Sequence, residues 1–169
     1  VEGKALLVHD GGPANRVVVV RGVDPATMAD ETEVVQQTGF GSFDVSTRNG
    51  VPGLVAGMGL GNRLGLYPGG SNRSASNVGV LSAPSIERML TQVFGVPPVR
   101  RFEVRGLFEV QAAFDQSHVF IGLEEAQRLF RTGSSVSGVD LRLQNLDQAD
   151  AVKAKLQGQL DGARFEVQT

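Results

Sequence analysis

Cysteine and tryptophan are both absent from the 169 residues, and tyrosine occurs once. Without a thiol there is no thiolate nucleophile, no cysteine metal site and no disulfide, so the fold must rest on a packed core. The same absence leaves a reducing and an oxidising compartment equally open. No apolar run reaches the 18 residues of a membrane helix, and the opening lacks a basic, apolar, small-residue signal pattern. Because the chain opens directly in a strand-like run, it is expected to be a soluble segment excised from a longer product. Charge of one sign is scarce as well. A formal net charge of −2 with interspersed signs supplies no basic field for nucleic acid and no polybasic anchor, so nucleic acid is not expected as a partner. No repeat of 20–50 residues is visible, which excludes solenoids and propellers.

What the chain does have is glycine, 22 residues of it, and nine phenylalanines. That balance fits a turn-rich, β-containing protein better than a helical bundle. The length suffices for one domain or two small subdomains. Residues 1–8 and 16–23 read as an antiparallel pair of strands separated by the turn formers Asp10, Gly11, Gly12 and Pro13. The unbroken β-branched run from Val17 to Val20 predicts a strand covered on both faces. Asp24 and Pro25 read as an N-cap followed by proline at the first helical position. Residues 36–52, rich in Gly, Ser, Thr and Asn, read as loop.

Residues 54–57 predict a short buried strand, followed by a helix over 58–66 that offers Met58, Leu60 and Leu64 to the core and stops at Gly65. Strands are predicted at 78–82 and 100–110, the latter turning Phe102, Val104, Phe108 and Val110 to one side, and again at 117–121. An amphipathic helix over 123–130 turns Ala126, Leu129 and Phe130 inward. The C-terminal third predicts a strand at 136–143, a helix over 147–160 capped by Asp147 or Asp150, and a strand at 163–167, an order that normally gives a right-handed crossover. The fold class expected is α+β, with a βαβ-containing base (1–35 and 134–169) and a β-rich subdomain (36–133).

Three motifs invite chemistry and are better explained without it. Gly57, Gly59 and Gly61 imitate a dinucleotide-binding turn, but Asn62 stands where the third glycine is needed and no acidic residue follows about 20 positions on. Close approach of a short helix to a sheet accounts for them. His9 and His118 each have an aspartate nearby in sequence, Asp10 and Asp115, but no nucleophile elbow accompanies them. Strand-end histidines making local hydrogen bonds are the simpler expectation. Glu124 and Glu125 point about 100° apart on a helix and cannot converge on one bond, so they are expected to form a solvated helix start. No catalytic residue, metal or cofactor is predicted.

The segment from Pro84 to Pro98 is too apolar for an ordinary turn between strands. Ile86, Met89, Leu90 and Val93 fall at i, i+3, i+4 and i+7, which places them on one helical face, with Phe94 following and Pro97 and Pro98 stiffening the return. The face either packs on its own domain or presents itself to a partner, with Arg88, Arg100 and Arg101 forming a polar rim.

Several runs carry a family likeness. Val1, Glu2 and Gly3 followed by Arg21-Gly22-Val23-Asp24-Pro25 resemble an opening with a "GVDP" turn. Residues 54–70 are similar to a strand and helix ending in "LGL..GG", although the acidic residue common near Gly70 and Ser71 is missing. The most specific stretch is 101–110, then Asp115, then 119–130 with its "L.EAQRLF" helix, and Val136-Ser137-Gly138-Val139. Together these resemble the periplasmic domain of bacterial lipoprotein-releasing (Lol) ABC-transporter permeases. The resemblance implies a non-enzymatic periplasmic domain of an inner-membrane permease that extracts lipoprotein cargo, with a partner permease subunit and a separate ATPase subunit. In LolC-like subunits it further implies a hook, here 84–98, that recruits a LolA-like lipoprotein carrier, with Arg100 and Arg101 in an adjoining basic pad. Val80 and Val99 depart from the polar residues expected of that pad. The same architecture serves MacB-type efflux transporters, in which the domain docks an adaptor and relays motion, and that is the alternative expectation. Family members usually carry a further strand and helix ahead of the point where this chain opens.

Overall fold

A computed structural model describes residues 1–9, 15–26, 28, 33–70, 73–85, 87, 99–141, 143, 145–160, 166 and 167. The chain divides into two compact units, Val1–Ser137 and Gly138–Thr169.

The first unit is built on strands β1 (Glu2–His9), β2 (Arg16–Val23), β3 (Thr38–Gly41), β4 (Thr47–Arg48), β5 (Val51–Gly57), β6 (Asn77–Ser82), β7 (Arg100–Phe108) and β8 (His118–Gly122). Their order is β3-β7-β6-β1-β2-β8-β5-β4, and an additional pairing of β7 with β5 closes β6, β1, β2, β8, β5 and β7 into a six-stranded barrel. The β2–β8 and β5–β7 pairs are parallel, whereas the other pairs are antiparallel. Closure leaves these six strands with paired edges, and a barrel this small has room inside only for side chains. Ala5, Leu7, Val18, Val20, Leu54, Ala56, Val78, Val80, Phe102, Val104, Val119 and Ile121 fill it. The mixed sheet and its helices make the protein α+β. Strands β1 and β2 lie between β6 and β8 in this sheet, so residues 1–35 share a unit with the β-rich middle, whereas the sequence grouping set them with 134–169.

Helix α2 (Met58–Leu64) adds Leu60 and Leu64 to the barrel core and ends at Gly65, whose φ of 64° supplies the left-handed cap expected there. Helix α4 (Leu123–Phe130) adds Ala126 and Leu129. Short helices α1 (Glu33–Gln36) and α3 (Ala112–Asp115) complete the unit. A second cluster of Val45, Val55, Phe108 and Phe120, flanked by Phe43 and Phe114, covers the outside of β5, β7 and β8. The rings of Phe108 and Phe120 meet edge to face at 5.4 Å.

Three strand expectations change in this unit, the first because residues 36–52, read as loop, contain β3, β4 and the start of β5, which find partners in β7 and in each other. The run from Val17 to Val20 alternates instead of being covered on both faces: Val18 and Val20 are buried, whereas Val17 is 68% exposed. A barrel strand has one face in the lumen, and the buried strand residues of the second cluster lie on the outside of β5, β7 and β8, with β2 reaching it only through Val23 at the end remote from Val17. On β7, Phe108 does not join Phe102 and Val104. Against β5 the register jumps from Val104 to Gly106. The extra residue, Arg105, reverses the alternation, so Leu107 packs in the barrel core and Phe108 in the outer cluster.

In the second unit, a 3₁₀ turn (Leu146–Gln148) leads into helix α5 (Ala149–Gln159). Neither expected aspartate caps the helix; instead Asn145 Oδ1 accepts the Asp147 amide at 2.9 Å. Residues 136–141 and 143 are not strand, because a period-2 pattern becomes a strand only when a neighbour completes its ladder, and no described strand does so. Most of the expected strand at 163–167 lies outside the described residues. No helix among the described residues is long and apolar enough to cross a membrane.

Candidate functional site

Strands β6 and β7 form the two legs of the apolar excursion. They pair antiparallel from Asn77 opposite Glu103 to Val80 opposite Arg100, after which the outgoing leg continues to Ser82. The backbone turns helical at 83–85 and at 87, consistent with serine ahead of a helical start. Pro84 is half-buried and Ser85 is buried. Ile86, Met89, Leu90, Val93, Phe94, Pro97 and Pro98, the rest of the expected apolar face and its return, lie outside the described residues, as does Arg88.

Arg100 and Arg101 open the returning leg, and both are exposed residues. Arg100 is not a lone cation. Its Nε donates to Glu125 Oε2 at 2.8 Å and its Nη2 to Glu125 Oε1 at 2.9 Å, a bidentate fork onto helix α4. Arg128 adds a 2.7 Å bond to Glu125 Oε1 and reaches Glu124 Oε2 at 3.2 Å. The solvated helix start therefore holds for Glu124 and fails for Glu125, whose side chain is only 6% exposed. Sequence carried a signal for this: Glu125 sits four residues before the buried Leu129 and so shares its face. The outgoing leg reaches the same helix, because Ser82 Oγ, fully buried, donates to the Leu129 carbonyl at 2.6 Å and lies 3.1 Å from Ser85 Oγ. That carbonyl belongs to the last turn of α4, where no intrahelical donor remains. Ser82 escaped sequence reasoning entirely. Val80 is fully buried in the barrel and Val99 is 38% exposed, so neither adds a polar group beside Arg100.

A second ionic cluster stands on the β7 bulge. Arg105, 5% exposed at its side chain, donates to Asp44 Oδ2 at 2.8 Å, Ser46 O at 2.9 Å, Val51 O at 3.1 Å and Glu103 Oε1 at 3.2 Å. Asp44 also pairs with Arg48 at 2.7 Å and accepts from the Ser46 amide and hydroxyl. Burial acts to raise the Asp44 carboxyl, but the hydrogen bonds from Ser46 and Arg105, together with the Arg105 charge, outweigh it and hold the group below its usual value. The cluster pins residues 42–51, which include β4, to the barrel.

The residues that imitated catalytic motifs have structural work. A Cβ on Gly57 would stand 2.2 Å from the Asp115 carbonyl oxygen, so the glycine permits α3 to lie against the end of β5. Asp115 is itself buried and accepts the Val110 amide through both carboxylate oxygens, at 3.0 and 3.2 Å. His118 stacks on Phe114 with ring centroids 3.8 Å apart and bonds locally to the Phe114 carbonyl and the Ser117 hydroxyl. His9 Nδ1 lies 3.1 Å from the Leu64 carbonyl. Among the described residues no group of three or more His, Cys, Asp or Glu side chains could hold a metal ion.

Comparison with known proteins follows the same lines. The chain is 30% identical over 163 residues to the "Lipoprotein-releasing system transmembrane protein LolC" of Xylella fastidiosa strain Temecula1, and equally to that of strain 9a5c. The alignment takes in 96% of this chain, and so both excursion legs and helix α4. Across this region the chain is similar to LolC-type permeases. It spans 36% of the length of these LolC relatives. No protein-family model matches it.

Proposed function

We propose that the chain is the periplasmic domain of an ABC-transporter permease that releases lipoproteins from the inner membrane, and that it docks a LolA-like carrier through the 84–98 excursion. The observation carrying this reading is likeness to LolC over 96% of the chain, together with an apolar excursion whose two legs are both fastened to one helix. Ile86, Met89, Leu90, Val93 and Phe94 supply the apolar contact, and Arg100 and Arg101 border it. Burying such side chains yields about 1.5–3 kcal/mol each, much of which association and ordering consume, so the contact is transient. That suits a carrier that must leave with its cargo. The domain itself is non-catalytic, and ATP hydrolysis falls to a separate ATPase subunit acting with a partner permease subunit.

The test places a photo-crosslinking residue at Met89 and, in a separate protein, at the exposed Asn62 on α2, and adds purified LolA-like carrier. Crosslinking at Met89 and none at Asn62 is expected. A folded domain that crosslinks at neither position would instead favour the MacB-type role, in which the base makes the contacts.

A further inference from the structure

We propose that Asn49-Gly50 is a site of spontaneous modification: the pair deamidates through a succinimide, and the isoaspartyl product unfastens the β4–β5 hairpin from the barrel. The proposal stands apart from the docking reading.

The chain holds six asparagines, and Asn49 is the one followed by glycine; the others precede Arg, Val or Leu. A glycine nitrogen carries no Cβ beside it to hinder its approach to the preceding side chain. Both residues are exposed, and a Cβ built on Gly50 would find no atom within 4 Å. They are the central residues of the turn between β4 and β5, with φ of 51° at Asn49 and 79° at Gly50. Positive φ at both marks a type I′ turn, in which Arg48 and Val51 close the hairpin and the two central residues stand clear. Among the described residues neither the Asn49 side chain nor the Gly50 amide has a hydrogen-bond partner. The nucleophile and the carbon it attacks are adjacent, solvated and unengaged.

Little holds the tip against reaching the reactive geometry. Strand β4 is two residues long, and Pro52, opposite Thr47, has no amide proton to give the ladder. In the reaction the Gly50 nitrogen bonds to Asn49 Cγ, the Cγ–Nδ2 bond breaks, and ammonia leaves with the amide proton. Solvent water then opens the succinimide. Opening at Cγ gives aspartate on the original backbone, and opening at the backbone carbonyl gives isoaspartate, with the chain routed through the side chain. The net change is a water taken up and an ammonia released, with no oxidation or reduction.

Isoaspartate lengthens the link between Arg48 and Val51 by a methylene, and the hairpin is fastened on both sides of that link. On one side Arg48 pairs with Asp44 at 2.7 Å and Arg105 reaches the Ser46 carbonyl at 2.9 Å; on the other Arg105 reaches the Val51 carbonyl at 3.1 Å. A guanidinium set to the spacing of two carbonyls loses one of them when the spacing changes. Aspartate at position 49 keeps the backbone and tolerates the left-handed conformation, so it leaves the fastening intact.

The test follows the whole chain at neutral pH by peptide mapping and mass spectrometry, with isoaspartate scored by enzymatic carboxyl methylation. Product is expected at Asn49 ahead of every other asparagine, and none at that position in Asn49→Gln. Its rate should rise with pH and lie within about tenfold of that in the same chain unfolded in urea, because an exposed hairpin tip opens at little cost. The isoaspartyl form, resolved by ion exchange, should melt about 5 °C below the parent through loss of a charged hydrogen bond. Asn49→Asp should melt within about 2 °C of the parent. A folded rate more than about tenfold below the unfolded one, or product first at another asparagine, would overturn the site. An isoaspartyl form that melts with the parent would overturn the unfastening.

Discussion

Replacing Arg105 by methionine is expected to lower the stability of the first unit by about 3 kcal/mol. The side chain is 5% exposed and serves four acceptors, from Asp44, Ser46, Val51 and Glu103. Removing one member of a buried ion pair costs roughly 3–5 kcal/mol, because the other is left buried and uncompensated. Asp44 is 14% exposed and keeps Arg48 and Ser46, while the Ser46 carbonyl keeps the Gly53 amide, which together place the loss at the lower end of that range. For a unit of this size, 3 kcal/mol corresponds to a fall in melting temperature of about 9 °C. Thermal unfolding followed by circular dichroism reads this directly, and a double-mutant cycle with Asp44→Asn isolates the pair, with a coupling of at least about 1 kcal/mol expected. A fall below about 3 °C would mean that the 42–51 loop is held by the outer aromatic cluster and that the ionic network adds no more than a surface pair would.

The lowered Asp44 carboxyl makes its contribution present above the unfolded-state value near 3.8 and lost as pH falls through its lower folded-state value. Stability measured by urea titration should therefore drop more steeply with acid below about pH 4 in the parent than in Asp44→Asn, and equal slopes would contradict the assignment. Gly57→Ala is expected to cost about 1–3 kcal/mol, because its new methyl meets the Asp115 backbone, whereas Gly39→Ala, with nothing within 4 Å, should change stability by less than about 0.5 kcal/mol. Phe120→Ala should cost about 3–5 kcal/mol by opening the outer cluster, in which that ring is packed against Phe43 and Phe108. Denaturant midpoints would read these three substitutions, and a Gly57→Ala protein as stable as the parent would show that α3 does not pack as described.

Local chemistry was legible in the sequence wherever one residue or one period decided the outcome. Gly65 stopped α2 because a left-handed residue was needed there, and Ala126 and Leu129 marked the buried face of α4 by their spacing alone. Families of residues scattered over the whole chain also carried the likeness to LolC, which needs no geometry. Closure of the barrel was not legible. It depends on β5 reaching β7 in parallel across about 50 residues, and strand patterns state which face is apolar without naming the neighbour. The bulge at Arg105 followed from that pairing, and with it the division of Leu107 and Phe108 between two cores. The same limit hid the candidate site's supports. Ser82 and Leu129 are 47 positions apart, and Arg100 and Glu125 are 25. A buried carboxylate is tolerated only once its partner arrives from elsewhere in the chain. The sequence by itself therefore determined most of the elements, the buried faces of α2 and α4 and the likeness to LolC, while the tertiary structure decided which strands meet, which faces of β2 and β7 are covered and which charges are buried together.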